Sequence, residues 1–196
     1  ACGICGADGH LLQAHRRPKT EMVTDDGEIV NVDFGFVGDI DKVNVALLSV
    51  LLQANIVPVI SPLAFDKSLN TLLNVNADTV AATVASAVSA EWLVLLSSIP
   101  GLLRNINDPN SRIAKLSVDE VPNLLQNGII SGGMRPKINA LTTALAKGVR
   151  RALILDGRLP QIKDVLVHQL DVGTEICKER NGHQFPVQKK LVNAVG

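Results

Sequence analysis

The sequence predicts an α/β protein, a mostly parallel open sheet with helices on both faces, together with an N-terminal β-hairpin region. Three observations point there. Short continuous apolar runs of the buried parallel-strand type recur at 56–60, 93–96 and 152–155. Stretches of helical length, rich in Ala and Val, lie between them and set up strand–helix–strand units. The 196 residues are 46% hydrophobic yet only 3% aromatic, with no Tyr, so Val, Leu, Ile and Ala must fill the core. Small branched side chains suit tightly layered sheets and helices.

Residues 1–6 are small and apolar and read as a strand. Ala7-Asp8-Gly9-His10 reads as a hairpin turn, returning as a second strand from Leu11. Residues 17–28 are mostly polar and carry the turn signal Asp25-Asp26-Gly27. Alternation of Val30, Val32, Phe34 and Phe36 predicts a strand over 29–37. Gly38-Asp39 opens a predicted helix through about Asn55, with Val43, Leu47, Val50 and Leu51 on one stripe. The first apolar run follows, interrupted by Pro58, and 62–73 reads as a connection. Asn76 or a neighbour caps a helix to about Ala90, and the second buried strand comes at 93–96. A loop covers 97–110 and a short helix 118–127. Gly132-Gly133 precedes a helix over 134–147. The third buried strand ends at Asp156-Gly157-Arg158, and 160–170 reads as a short helix. Residues 1–175 are expected to form a single domain and 176–196 a polar tail.

Bulk properties narrow the function. Lys plus Arg and Asp plus Glu both number 19, so net charge gives no electrostatic case for nucleic acid or an anionic membrane. No window approaches 18 uninterrupted apolar residues, so no membrane span is expected. No signal peptide is visible, and the expected location is the cytoplasm, or an organelle. The chain begins at Ala1, inside an apparent strand, so it is expected to be processed or to lack an N-terminal part. Three cysteines suggest reduced thiols. Cys2-Gly3-Ile4-Cys5 has redox-site spacing, but an offset of three on a strand puts its side chains on opposite faces. The basic run His15-Arg16-Arg17-Pro18-Lys19 reads as a solvated loop or the rim of a cleft.

Ligands of open parallel sheets bind beyond the carboxyl ends of the strands, and three segments lie at or near such ends. In 129–137, Gly132 and Gly133 let a ligand approach the backbone at a helix start that favours phosphate. Lys137, one turn in, can neutralise charge on a transferring phosphoryl group, or is simply a surface lysine. In 74–78, Asn74 and Asn76 share a face if extended and can hold a carboxylate or amide. Asp78 either caps the next helix or orients lysines through charge-assisted hydrogen bonds. The segment 97–103 can wrap a nucleotide with backbone groups, or is an ordinary loop.

Together, Gly35-Phe36-Val37-Gly38-Asp39, Asn74-Val75-Asn76-Ala77-Asp78-Thr79, Gly132-Gly133-Met134-Arg135-Pro136-Lys137 and Ile154-Leu155-Asp156-Gly157-Arg158 resemble the amino-acid kinase family, and within it the acetylglutamate kinases. The likeness runs over about residues 1–175. It implies the family's three-layer sandwich and phosphoryl transfer from ATP to the side-chain carboxylate of N-acetyl-L-glutamate, a step of arginine biosynthesis. Asn74 would bind the substrate, with Asn76 beside it. Lys137 would stabilise the transition state and Asp78 would organise the catalytic lysines. Ser98, Ile99, Pro100, Gly101, Leu102 and Leu103, with Ile129, Ile130 and Ser131, would bind the nucleotide. Magnesium would arrive with ATP, with no dedicated protein metal ligand. The full-length protein would be a homo-oligomer, a dimer or hexamer.

The sequence also departs from the family pattern. The Lys-x-Gly-Gly segment, the later Gly-rich substrate loop and the Arg that grips the substrate carboxylate are absent from this chain, which alone is expected to be inactive or nearly so. The family often has Asp where this chain has Ser98, and Asp171-Val172-Gly173-Thr174 differs from the C-terminal signature of arginine-inhibited members. An acetylaminoadipate-type kinase and a non-catalytic nucleotide-binding fragment are the alternative readings.

Overall fold

The computed structural model describes residues 1–24, 26–158 and 171–178. The chain opens with β1 (Cys2–Ile4) and β2 (Leu12–Arg16), separated by a short 3-10 turn over Asp8–His10. The predicted hairpin between them does not form. The turn is helical, and Gly6 runs so close to residues 63–64 that an added Cβ would lie 2.3 Å from the Leu63 carbonyl oxygen. The N-terminal hairpin is instead β3 (Thr20–Val23) against β4 (Ile29–Val32), with Thr20 opposite Val32 and Val23 opposite Ile29. The strand expected over 29–37 stops at Val32, where the Asp33 carboxylate accepts from the Gly35 N–H at 2.9 Å and Gly35 adopts φ +67°.

The helix expected from Gly38 begins later. Residues Gly38–Val43 form β5, antiparallel to β2. Gly38 lies against Leu73, whose Cδ1 would be 2.7 Å from an added Cβ. Helix α1 (Val45–Gln53) starts only after Asn44, whose side-chain oxygen accepts from the Leu47 N–H at 3.3 Å, a normal N-cap. Its inner face is also rotated from the expected stripe: Leu48 is buried, whereas Val50 is 63% exposed.

β6 (Pro58–Ile60) pairs in parallel with β1. The connection expected over 62–73 is a hairpin of β7 (Leu63–Asp66) and β8 (Thr71–Asn74). The buried Asp66 carboxylate builds its turn by accepting from the Ser68 hydroxyl and the N–H groups of Ser68 and Leu69, and these bonds hold its carboxyl below the usual range. Strands β5, β2, β7 and β8 lie side by side in that order.

The second half runs α2 (Ala77–Ala87), β9 (Trp92–Ser97), β10 (Lys115–Ser117), α3 (Val121–Gln126), α4 (Met134–Ala146), β11 (Arg151–Asp156) and β12 (Thr174–Cys177). β9 and β11 are parallel, with Arg151 opposite Trp92 and Asp156 opposite Ser97. The sheet order is β10-β12-β11-β9, with β12 antiparallel to β11. Parallel pairings join β1 to β6, β2 to β7, β9 to β11 and β10 to β12, so β6 lies beside β1 and not β9. α2 and α4 pack together over one face of this sheet, burying Ala82, Ala85, Leu141, Leu145, Leu95 and Ile154 in the larger core. The opposite face carries Leu153 and Leu155 with Trp92, Val94 and Val172. The short helix expected over 160–170 lies outside the described residues, as does the tail from 179. β12 runs to Cys177 and buries Ile176, so the ordered core extends past residue 175.

Candidate active site

α2 and α4 each precede the strand they pack on, β9 and β11, and run back along it. Their N-termini therefore meet at the carboxyl ends of the two parallel strands. Both helices also aim their positive dipole ends at that region.

The sequence around α2 explains its position. Asn74 ends β8, and its N–H donates to the Phe36 carbonyl at 2.8 Å. Val75 is buried and anchors the turn. Asn76 is the N-cap, its side-chain oxygen accepting from the Thr79 N–H at 3.1 Å. Asn76 thus spends its carbonyl on the helix and keeps only its amide NH2 for a ligand. That leaves Asp78, in the first turn, free of capping duty.

Its carboxylate faces α4. Lys137 Nζ donates to both Asp78 oxygens, at 3.0 and 3.1 Å, with the two side chains only 24% and 17% exposed. Asp78 therefore bonds a lysine, while Asn76 makes the cap of α2. α4 itself begins at Gly133 with no side-chain cap, and Gly132 takes φ +49°. An added Cβ at Gly132 or Gly133 would meet nothing within 4 Å. The Met134 and Arg135 N–H groups already donate to the Ser131 and Gly132 carbonyls, and Pro136 has none, so an anion at this helix start meets the loop N–H groups of Gly132 and Gly133.

The segment after β9 is half inside the core. Ser98 and Pro100 are exposed and Ile99 half-buried, whereas Leu102 is buried and Gly101 takes φ +132°. Leu103 bridges to Arg112. In the segment that leads into α4, Ile129 is half-buried, Ile130 fully buried and Ser131 exposed. Leu102 and Ile130 share the larger core, so neither side chain is open to a ligand. Neighbouring β11 ends in Asp156, whose carboxylate accepts from the Arg158 guanidinium at 2.9 and 2.8 Å and from the Arg158 N–H. Those bonds hold its carboxyl down to about 2. In the sequence this pair marks a strand end and belongs to one of the runs that carry the family resemblance, but its ion pair is not foreseen there; the Asp-x-Arg spacing is the available signal.

The basic run is largely neutralised by three aspartates. His15 pairs with Asp41 at 2.7 Å, Arg16 with Asp33 at 2.8 Å and Arg17 with Asp39 at 2.5 Å. Arg16 and Arg17 also lie over the rings of Phe36 and Phe34. All three cysteines are free, and burial pushes the Cys177 thiol up. Among the described residues no group of three or more His, Cys, Asp or Glu is placed to hold a metal. No described helix is long and apolar enough to cross a membrane.

The chain belongs to the amino acid kinase family, whose model matches residues 1–156. Within that family its similarity is to acetylglutamate kinases. That of Methanosphaera stadtmanae is 47% identical over 157 residues, covering 80% of this chain and 52% of that protein. That of Heliobacterium modesticaldum is 44% identical over 181 residues, covering 91% and 60%. The chain thus spans about half the length of the curated relatives it matches. Among solved structures, N-acetylglutamate synthase from Neisseria gonorrhoeae complexed with coenzyme A and N-acetyl-glutamate superposes with a TM-score of 0.70 at 29% identity, over 90% of this chain and 38% of that one. Carbamate kinase from Giardia lamblia bound to AMP-PNP shares the fold, with a TM-score of 0.60 at 16% identity over 82% of this chain and 52% of that one.

Proposed function

We propose that this chain carries the nucleotide-binding and phosphoryl-transferring part of an acetylglutamate kinase, which moves the γ-phosphoryl group of ATP to the side-chain carboxylate of N-acetyl-L-glutamate. The observation that carries the reading is the Lys137–Asp78 contact at the joint N-terminal ends of α4 and α2. Phosphoryl transfer asks little covalent chemistry of a protein and much positioning and charge neutralisation. Lys137 supplies a cation for charge developing on the transferred group. Asp78, holding it through both oxygens, fixes where that cation sits. The glycine loop that leads into α4 adds the Gly132 and Gly133 N–H groups for phosphate oxygens. Exposed Ser98, Pro100 and Ser131, with half-buried Ile99 and Ile129, form the rim for base and ribose, while Gly101, Leu102, Leu103 and Ile130 contribute backbone. Asn74 and the free amide of Asn76 face the acceptor.

These residues fit a polyphosphate, and they offer no spare carboxylate for a metal, since both Asp78 oxygens are engaged. Magnesium would be held by the ATP phosphates and supply further charge neutralisation. The acceptor pocket needs the half of the relatives' length that this chain does not span. The substrates and any homo-oligomer belong to that longer polypeptide, placed by this reading in the cytoplasm.

The test is acyl phosphate formation, trapped with hydroxylamine, by a polypeptide comprising this chain and the remaining kinase length. ATP with N-acetylglutamate should give hydroxamate. No product, or product only with N-acetyl-aminoadipate, overturns the assignment.

A further inference from the structure

The loop that follows β9 is tied from behind by a residue far along the chain. The Leu102 N–H donates to the Thr174 hydroxyl at 2.8 Å, and that hydroxyl donates to the Ile113 carbonyl at 2.7 Å. Thr174 is fully buried, and its hydroxyl both accepts and donates, which satisfies it in a dry site. Two glycines let the segments close on each other. An added Cβ at Gly101 would lie 2.7 Å from Thr174 Oγ1, and one at Gly173 would lie 2.2 Å from the Ile154 carbonyl oxygen. Arg112 clamps the same place by donating to the carbonyls of Gly173 and Asp171 and to the Asp171 carboxylate. Residues 171–174 are thus the back wall of the loop 98–103.

We propose that Thr174 is a positioning residue for nucleotide binding, acting through the Leu102 backbone to set how Ser98, Ile99 and Pro100 are presented. The inference rests on reading 98–103 as a nucleotide segment. Space-filling does not require the hydroxyl, because Val has nearly the same shape. Without the hydroxyl, the Leu102 N–H and the Ile113 carbonyl lose their shared partner inside the core, and the loop must shift to find another. Thr174 lies beyond residues 1–156, the part of the chain that the family model matches.

Binding of a non-hydrolysable ATP analogue, measured by calorimetry on the whole chain, tests this with four proteins: wild type, Thr174→Val, Thr174→Ser and Thr174→Ala. Circular dichroism at the titration temperature identifies the folded ones. Thr174→Val is expected to weaken binding about tenfold, and Thr174→Ser to stay within about twofold of wild type. Ser and Ala both lack the methyl group and differ only in the hydroxyl, so this pair decides the matter even where Val prevents folding. A purely structural hydroxyl would lower the melting temperature and leave the dissociation constant of the folded protein unmoved. Equal constants for Ser and Ala therefore overturn the proposal and leave the nucleotide reading intact. Wild-type protein that binds no nucleotide overturns the nucleotide reading, and the role of Thr174 with it.

Discussion

The Lys137 ammonium lies 3.0 and 3.1 Å from the two carboxylate oxygens of Asp78 and so joins the first turns of α4 and α2. The contact spans 59 residues of chain and sits where two helix N-termini converge. Asp78→Asn keeps the shape and removes the charge that orients the lysine. In a polypeptide completed to the length of the relatives, kcat should fall by about two to three orders of magnitude with little change in the KM for ATP, the pattern of a transition-state contact. Unchanged steady-state kinetics would reduce the pair to a structural tie.

Asn76 is expected to have two separable roles. Asn76→Ala should cost about 1 kcal/mol of stability in urea unfolding, because the Thr79 N–H loses its cap. Asn76→Ser should retain most of that stability, since Ser also caps, while removing the side-chain amide. If the amide binds the acceptor, the KM for N-acetylglutamate rises in both variants. If only stability responds, and only to Ala, Asn76 is a cap alone.

Asp156 gives a pH signature. The Arg158 guanidinium and N–H hold its carboxyl at about 2, against an ordinary value of 3.8. The folded state therefore favours the ionised form. Its contribution is complete above 3.8 and is lost as pH falls from there towards 2. In thermal melts, the stability gap between wild type and Asp156→Asn should narrow over that window. A gap that is constant or widens on acidification contradicts the assignment.

Gly173 should tolerate no side chain. It adopts φ +72°, and an added Cβ would lie 2.2 Å from the Ile154 carbonyl oxygen. Gly173→Ala is expected to destabilise the chain by about 2 kcal/mol or more, read as a drop in urea midpoint at constant m-value. A wild-type midpoint would mean that this packing does not exist in solution.

The sequence disclosed elements whose signals are local. β9 and β11 are continuous apolar runs, and α2 and α4 follow their helical spacing and the Asn and Gly residues that open them. The missed strands lack such a signal. β3 and β5 carry charged residues such as Glu21, Asp39 and Lys42, and β5 depends on a partner, β2, distant in sequence. The β7–β8 hairpin turns on the buried Asp66, whose bonds to Ser68 and Leu69 make a turn that no Gly or Pro announces in the sequence. The candidate site was legible in part for the same reason. Asn74, Asp78 and Lys137 stand in recognisable local runs, although the Lys137–Asp78 contact itself is long-range. Thr174 was invisible as a site element because its bond to Leu102 crosses 72 residues and follows no periodicity.

The central claim is that residues 98–103 and 129–137 form one nucleotide site. Its most direct test is titration of the chain with a non-hydrolysable ATP analogue while backbone amide resonances are followed by NMR. The account predicts saturable shifts concentrated in those two segments and at Asp78. No saturable response at about millimolar nucleotide, or shifts confined to the shallow groove of Arg104, Asp119 and Asn123, would contradict it.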